Sequence, residues 1–418
     1  MVCSITLKGW IAPTMGTQIV HRGDDAPSSP VVALPHDEQD RRGPQPGIGL
    51  CLSGGGYCAM LFHLGSLWRL NELGYLPKLS RVSSVSGGSI TSARLALVWS
   101  KLDFDSEGIA RAFGAEVATP IRRLASHTID VPSIIVGAIL PVINAADRIE
   151  KAYKKYLFGD ATMADLPIEG IGIPRFIINA ASMQTGALFR FSQPYLADWR
   201  LGINRNTKQV PLARAVAASS AFPPVLSPMD MELEPGGFEP CAGADLHNAD
   251  PAYTTRIVLT DGGTYDNLGL ETVFKRYVTV LASDAGAALP TETKPHEDWI
   301  RHGVRASEML LNQTVSIRKR QLIAAFEGAP GSEKRDGAYW SIRSELGNYK
   351  LPDAWPFDKA LASKLAETPT RLEKLDDDVQ ESLINWGYVA CDTAMRTWVA
   401  KTARRPTRLP CARSEGTK

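Results

Sequence analysis

The sequence predicts an α/β domain built around a mostly parallel sheet. Three observations predict it: short apolar runs alternate with helical patterns over the first half of the globular body, glycine clusters follow three of the apolar runs, and no repeat or second linker divides the body. The first run is Gly47-Ile48-Gly49-Leu50-Cys51-Leu52. Over residues 57–73 the apolar positions Met60, Leu61, Leu64, Leu67, Trp68 and Leu73 recur at helical spacing, and Gly74 then Pro77 stop the helix. Residues 81–85 read as the next strand and 87–99 as the next helix. Further strands are expected at 175–179, 256–260 and 277–281. After about residue 290 the pattern turns mainly helical, through 299–326 and 376–401.

Composition narrows the class. Of 418 residues, 44% are hydrophobic and 22% charged, the balance of a globular protein with a sizeable core. A formal charge of +1 lacks the basic excess of a nucleic-acid binder, so no nucleic acid is expected as a partner. The cysteines Cys3, Cys51, Cys58, Cys241, Cys391 and Cys411 show no C-x-x-C spacing, which suits a reducing cytoplasm better than a disulfide framework or a structural zinc site. The first residues lack the pattern of a secretory signal. Residues 1–46 read as a flexible leader, 47–402 as the globular body (a core at 47–290, a mainly helical extension at 291–402), and 403–418 as a basic tail. The apolar stretch at 131–146 is shorter than the roughly 20 residues needed to span a bilayer. Its basic flank, Arg148, Lys151, Lys154 and Lys155, would suit peripheral contact with a lipid surface or a lid; burial against the sheet is the plainer alternative.

Three glycine-bearing turns carry the chemistry. Ser53-Gly54-Gly55-Gly56-Tyr57 lies between a strand and a helix, where bare amides at a helix N-terminus suit a phosphate cradle or an oxyanion hole. Neither G-x-x-x-x-G-K-[ST] nor G-x-G-x-x-G is present, which favours the oxyanion hole. Ser84-Val85-Ser86-Gly87-Gly88 is a second strand–turn–helix site and would expose the Ser86 hydroxyl above the sheet; Ser84 stands where G-x-S-x-G has its first glycine. Asp261 follows an apolar strand and precedes Gly262 and Gly263, while Asp266 and Asn267 read as caps of a helix near Leu268. Each signal is weak alone; their order and their places at strand ends make the set.

These segments resemble the patatin-like phospholipases and, more distantly, the cytosolic group of phospholipases A. The likeness runs over residues 47–283 and is anchored by S-G-G-G-Y-C-A-M from Ser53, S-V-S-G-G-S from Ser84 and D-G-G-T-Y-D-N-L-G-L-E from Asp261. F-I-I-N-A-A-S-M-Q-T-G from Phe176 and A-A-S-S-A-F-P-P from Ala217 support it. The resemblance implies a three-layer α/β sandwich with a helical C-terminal extension and a lipid acyl hydrolase of phospholipase A or lysophospholipase type. It also implies a catalytic dyad of Ser86 and Asp261, and an oxyanion hole from the amides of Gly54, Gly55 and Gly56. No cofactor or metal is implied. The chain departs from the family pattern in two places: Cys58 and Ala59 replace the common basic residue and glycine, removing a positive charge beside the site, and Ser84 fits only with negative φ.

Two other readings are open at this stage. A Ser-His-Asp esterase needs a late histidine, His296 or His302, whereas His63 on the first helix reads as structural. A non-catalytic lipid-binding scaffold would keep the fold without the chemistry. Cys58 at a helix N-terminus reads as a packing residue, with a reactive thiol as the alternative.

Overall fold

The computed structural model describes residues 43–130, 145–224, 226–241 and 244–411. Most of the expected leader, nearly all of the apolar stretch at 131–146 and the end of the basic tail lie outside the described residues.

Among the described residues eleven strands form one mixed sheet: β1 (Gln45–Leu52), β2 (Arg81–Val85), β3 (Arg175–Ser182), β4 (Leu188–Ser192), β5 (Tyr195–Asp198), β6 (Gly202–Asn204), β7 (Met229–Glu232), β8 (Phe238–Glu239), β9 (Arg256–Asp261), β10 (Tyr277–Asp284) and β11 (Asp336–Ser341). Its centre, β11-β10-β1-β2-β3, is parallel throughout. Antiparallel strands β4, β5, β6 and β8 continue it on one side, and β9 joins β3 with β7 beyond. The helices are α1 (Gly56–Glu72), α2 (Gly87–Leu97), α3 (Thr119–Ala125), α4 (Ala145–Tyr153), α5 (Leu212–Ser219), α6 (Ala252–Thr255), α7 (Gly263–Asp266), α8 (Glu271–Phe274), α9 (Trp299–Glu327), α10 (Lys359–Ala366) and α11 (Asp377–Trp398).

Alternation along β1 sorts the layers. Leu50 and Leu52 join a large core with α1, α2, α5 and α11, while Cys51 points into a smaller one with Leu270, Val273 and Leu322 of the α8–α9 side. The protein is therefore a three-layer α/β sandwich with helices on both faces of a sheet whose central strands are parallel. Helix α1 begins at the glycine turn and ends before Gly74, whose φ of 64° and amide bond to Asn71 O fit a C-terminal stop. The helical extension differs from expectation in one respect. It contributes β11, a parallel edge strand, so the extension completes the sheet as well as packing on it. The run Asp336-Gly337-Ala338-Tyr339-Trp340-Ser341 is short and polar at both ends, which hides it from a reading based on apolar runs.

Candidate active site

Pairing along β3 brings two of the three turns together. Strand β4 occupies one edge of β3 over residues 178–181, so β2 and β9 must share the other edge. Strand β2 runs parallel to β3 as far as Val85 opposite Asn179; β9 arrives antiparallel and ends with Asp261 opposite Ala180. The two strands thus meet head to head, and Ser86 and Asp261 are the residues at the meeting point. The sequence suggests equivalent strand ends; the structure reaches the same neighbourhood through opposed ones.

Ser86 has φ 49° and ψ −121°, a strained conformation for a side-chain-bearing residue, and is 8% exposed. Small residues permit this turn: a Cβ on Gly87 would lie 2.1 Å from Gly56 O, so α2 approaches the first glycine turn too closely for any side chain. Ser84 causes no difficulty. It is a β2 residue outside the positive-φ set, and its hydroxyl donates to Ile177 O at 3.1 Å on β3. The end of α5 and the residues just after it tie both halves of the site. Ser219 Oγ accepts the Ser86 N–H at 2.9 Å and donates to Asn179 O at 2.6 Å, while Ala221 O accepts the Asp261 N–H at 2.9 Å.

Asp261 is 2% exposed. Burial pushes its carboxyl up to about 7, against the pull of the hydrogen bond from the Gly263 N–H, at 2.6 Å, and of the neighbouring Ser86 hydroxyl. Both side chains border a cavity of about 520 Å³, which also meets Gly55, Gly56, Gly263 and Asn267.

The glycine turn requires one correction. Gly54 was expected among the oxyanion donors, but its N–H is spent on Asn267 O at 3.0 Å, and it does not border the cavity. A side chain there would meet Asn267 Oδ1 at 2.3 Å and Ser86 Cβ at 3.1 Å, so Gly54 is a spacer. The amides of Gly55 and Gly56 have no acceptor among the described residues, and both residues line the cavity. Gly55 needs to be glycine twice over: φ is 146°, and a Cβ would lie 2.6 Å from Ala285 O. Beneath the turn, His63 Nε2 donates to Ser53 O at 2.9 Å and Nδ1 accepts from the Ser283 hydroxyl at 2.8 Å. Burial lowers its pKa to about 4, so it is a neutral structural pin. Cys58 is likewise buried, which pushes its thiol up to about 12, the opposite of a reactive thiolate.

Other expectations resolve as follows. His296 and His302 are exposed, and no described histidine borders the cavity. Asp266 does cap, accepting the Leu268 N–H at 3.2 Å and the Glu271 N–H at 2.6 Å. Asn267 instead faces the cavity, a role that its place in the motif did not disclose. The charge missing at Cys58 is not missing from the cavity, whose wall carries Lys319, Arg343 and Arg371, all from the C-terminal extension. Among the described residues no group of three or more His, Cys, Asp and Glu side chains gathers in a metal-binding arrangement, and no helix is long and apolar enough to cross a membrane.

A three-layer α/β sandwich with a serine elbow, a facing carboxyl and bare glycine amides over one cavity defines the class. Within it, a family model of patatin-like phospholipases matches residues 50–274, more than half of the chain, and the chain belongs to that family. The family supports lipid acyl hydrolase activity. Among solved structures, human GIVD cytosolic phospholipase A2 in complex with methyl gamma-linolenyl fluorophosphonate and terbium chloride matches at 15% identity with a TM-score of 0.46, over 83% of this chain and 58% of that one. A second structure of the human enzyme matches at 14% identity and 0.37, over 63% of this chain and 48% of that one. VipD from Legionella pneumophila matches at 15% and 0.34, over 83% and 66%. The chain thus spans about half to three fifths of the length of the human chains. The comparison with curated proteins found no match.

Proposed function

We propose that the protein hydrolyses lipid acyl esters through Ser86 and Asp261. Asp261 accepts the Ser86 proton as Oγ attacks the ester carbonyl, and the oxyanion is held by the amides of Gly55 and Gly56. The same proton goes to the departing alcohol, leaving an acyl-serine; Asp261 then takes a proton from water as the water oxygen attacks the acyl carbon, and returns it to Ser86 Oγ as that bond breaks and the fatty acid leaves. The observation that carries this reading is geometric: Ser86 on its strained elbow and the buried Asp261 carboxyl border one cavity with Gly55 and Gly56. An ordinary carboxylate, near 4, is a poor base for a hydroxyl; burial removes that objection.

A fluorophosphonate probe phosphonylates only an activated serine, so it tests the reading directly. The protein should label stoichiometrically, Ser86→Ala should not, and both should fold alike by circular dichroism. Absence of labelling in folded protein would leave a lipid-binding scaffold. Peripheral membrane contact belongs to the same proposal: Arg148, Lys151, Lys154 and Lys155 are all exposed on and just after α4. Neutralising the four should weaken sedimentation with anionic liposomes, and unchanged sedimentation would remove that role.

A further inference from the structure

The C-terminal extension places three cations on the cavity wall, and their partners differ. Lys319 Nζ is 2.5 Å from Asp284 Oδ2, a buried carboxylate that neutralises it. Arg371 Nε is 3.0 Å from Asp130 Oδ2, with Glu373 3.4 Å from its Nη1. Glu308, the remaining acidic residue of the wall besides Asp130 and Asp261, is taken by Arg305 at 3.9 Å. Arg343 stands apart. Its Nη2 donates to Ala366 O at 2.7 Å, and no carboxylate among the described residues pairs with it.

Its placement is built rather than incidental. Arg343 follows β11 in a turn closed by two hydrogen bonds: the Ser341 N–H donates to Ser344 Oγ at 2.9 Å and the Arg343 N–H to Ser341 Oγ at 3.1 Å. The carbonyl that holds its guanidinium ends α10, one residue beyond Leu365 O, the acceptor of the Cys58 thiol at 3.8 Å. The guanidinium is thereby pinned over the start of α1, next to the glycine turn. One of its five N–H donors is used, and no described carboxylate takes the others where the residue borders the cavity.

We propose that Arg343 binds the phosphate of a glycerophospholipid whose acyl ester lies at Ser86, and so selects phospholipids over neutral acylglycerols. The inference rests on the reading of Ser86 as the nucleophile. A guanidinium–phosphate pair is charge-assisted and bidentate, and a guanidinium whose partner among the described residues is a neutral carbonyl gains most from a ligand oxyanion.

The test compares a short-chain phosphatidylcholine with the diacylglycerol of the same acyl chains, using the full chain. Arg343→Gln should lower the ratio of their kcat/KM values roughly 10- to 100-fold, the worth of a hydrogen bond to a charged group, and Arg343→Lys should restore part of it. Fluorophosphonate labelling of each variant reports whether the Ser86 site is intact. A ratio unchanged within threefold in a labelled variant overturns the proposal, as does an equal loss on both substrates. If the wild type neither labels nor turns over either ester, the serine reading fails, and Arg343 is judged by binding alone. A non-hydrolysable diether phosphocholine should then bind the wild type at least tenfold tighter than Arg343→Gln, and equal affinities overturn the inference.

Discussion

Helices α1 and α9 both border the cavity, and they could hardly be held more differently. Of the 17 residues of α1, 15 are buried, between the sheet and α11. Helix α9 has 29 residues, of which Leu322 and Ala325 alone are buried; Trp299 is 83% exposed and Leu310 66%. Both contain apolar residues enough to pack. In α1 they are covered on every side. In α9 one side of the helix, with Leu311, Val315 and Lys319 four residues apart, faces the cavity, while Trp299, Leu310 and Ile317 lie on the opposite side in solvent. The proposed chemistry would thus stand on a deeply buried wall, opposite a second wall with few buried residues, the kind of segment that opens at lower cost than a core element. If that division is right, perturbing the α1 side should destroy geometry, whereas perturbing α9 should leave the fold almost untouched.

The largest effect should come from the buried carboxyl on the rigid side. Asp261→Asn should reduce ester turnover roughly 10²- to 10⁴-fold, the usual contribution of a positioned base. The same variant should be more stable at pH 8. Burial raises the folded-state value above that of the unfolded chain, so ionising Asp261 opposes folding; the penalty is absent below about 4, grows as pH rises, and is complete above about 7. Thermal unfolding should therefore show Asp261→Asn melting a few degrees above wild type at pH 8, the gap closing by pH 4. In the wild type, kcat/KM should fall about tenfold per pH unit below an inflection near 7. An acid limb with its midpoint near 4 would mean that Asp261 is not the base.

Next come two glycines of the rigid wall. Gly55→Ala forces a side chain against Ala285 O at 2.6 Å and displaces a free amide, so kcat should fall roughly 10²- to 10³-fold, as when an oxyanion donor is lost. Gly65→Ala lies away from the chemistry, yet its Cβ would sit 1.8 Å from Ile384 O on α11. It should cost about 3 kcal/mol in denaturant unfolding, the upper range of overpacking. A Gly65→Ala protein of wild-type stability would show that α1 is not clamped as tightly as its burial indicates.

The two walls were not equally legible in the sequence. Strand–turn–helix motifs are local, so the turns at Gly54, Ser86 and Asp261 could be read from residue order alone. Which amides of the glycine run are free could not, because the answer lies with Asn267 O, more than 200 residues away. Ser219 and Ala221 sit inside a motif that was visible, but their hydrogen bonds to Ser86 and Asp261 depend on how α5 packs against β3 and β9. The antiparallel strands β4, β5, β6 and β8 are short and buried on both faces in places, which erases the alternation that marks a strand. Arg343 and Arg371 gave no local signal, and Lys319 none beyond its place in the basic run 318–320 of a helix. Their meaning comes from facing the same cavity while differing in partners, which is a tertiary fact.

The smallest predicted effect is the one that tests the loose wall most directly. Gly303 lies in the first turns of α9, and a Cβ built there meets nothing within 4 Å. Glycine in a helix interior costs roughly 0.5–1 kcal/mol relative to alanine because the unfolded chain has more freedom to lose. If the N-terminal part of α9 folds and unfolds with the rest of the molecule, Gly303→Ala should raise global stability by about that amount, read as a small shift in the denaturant midpoint with unchanged slope. If instead α9 opens on its own, the global midpoint should stay fixed and the gain should appear only as slower amide exchange over residues 299–315. The second outcome is expected from the lack of buried residues before Leu322, and a full global shift would mean that both walls of the cavity belong to one cooperative unit.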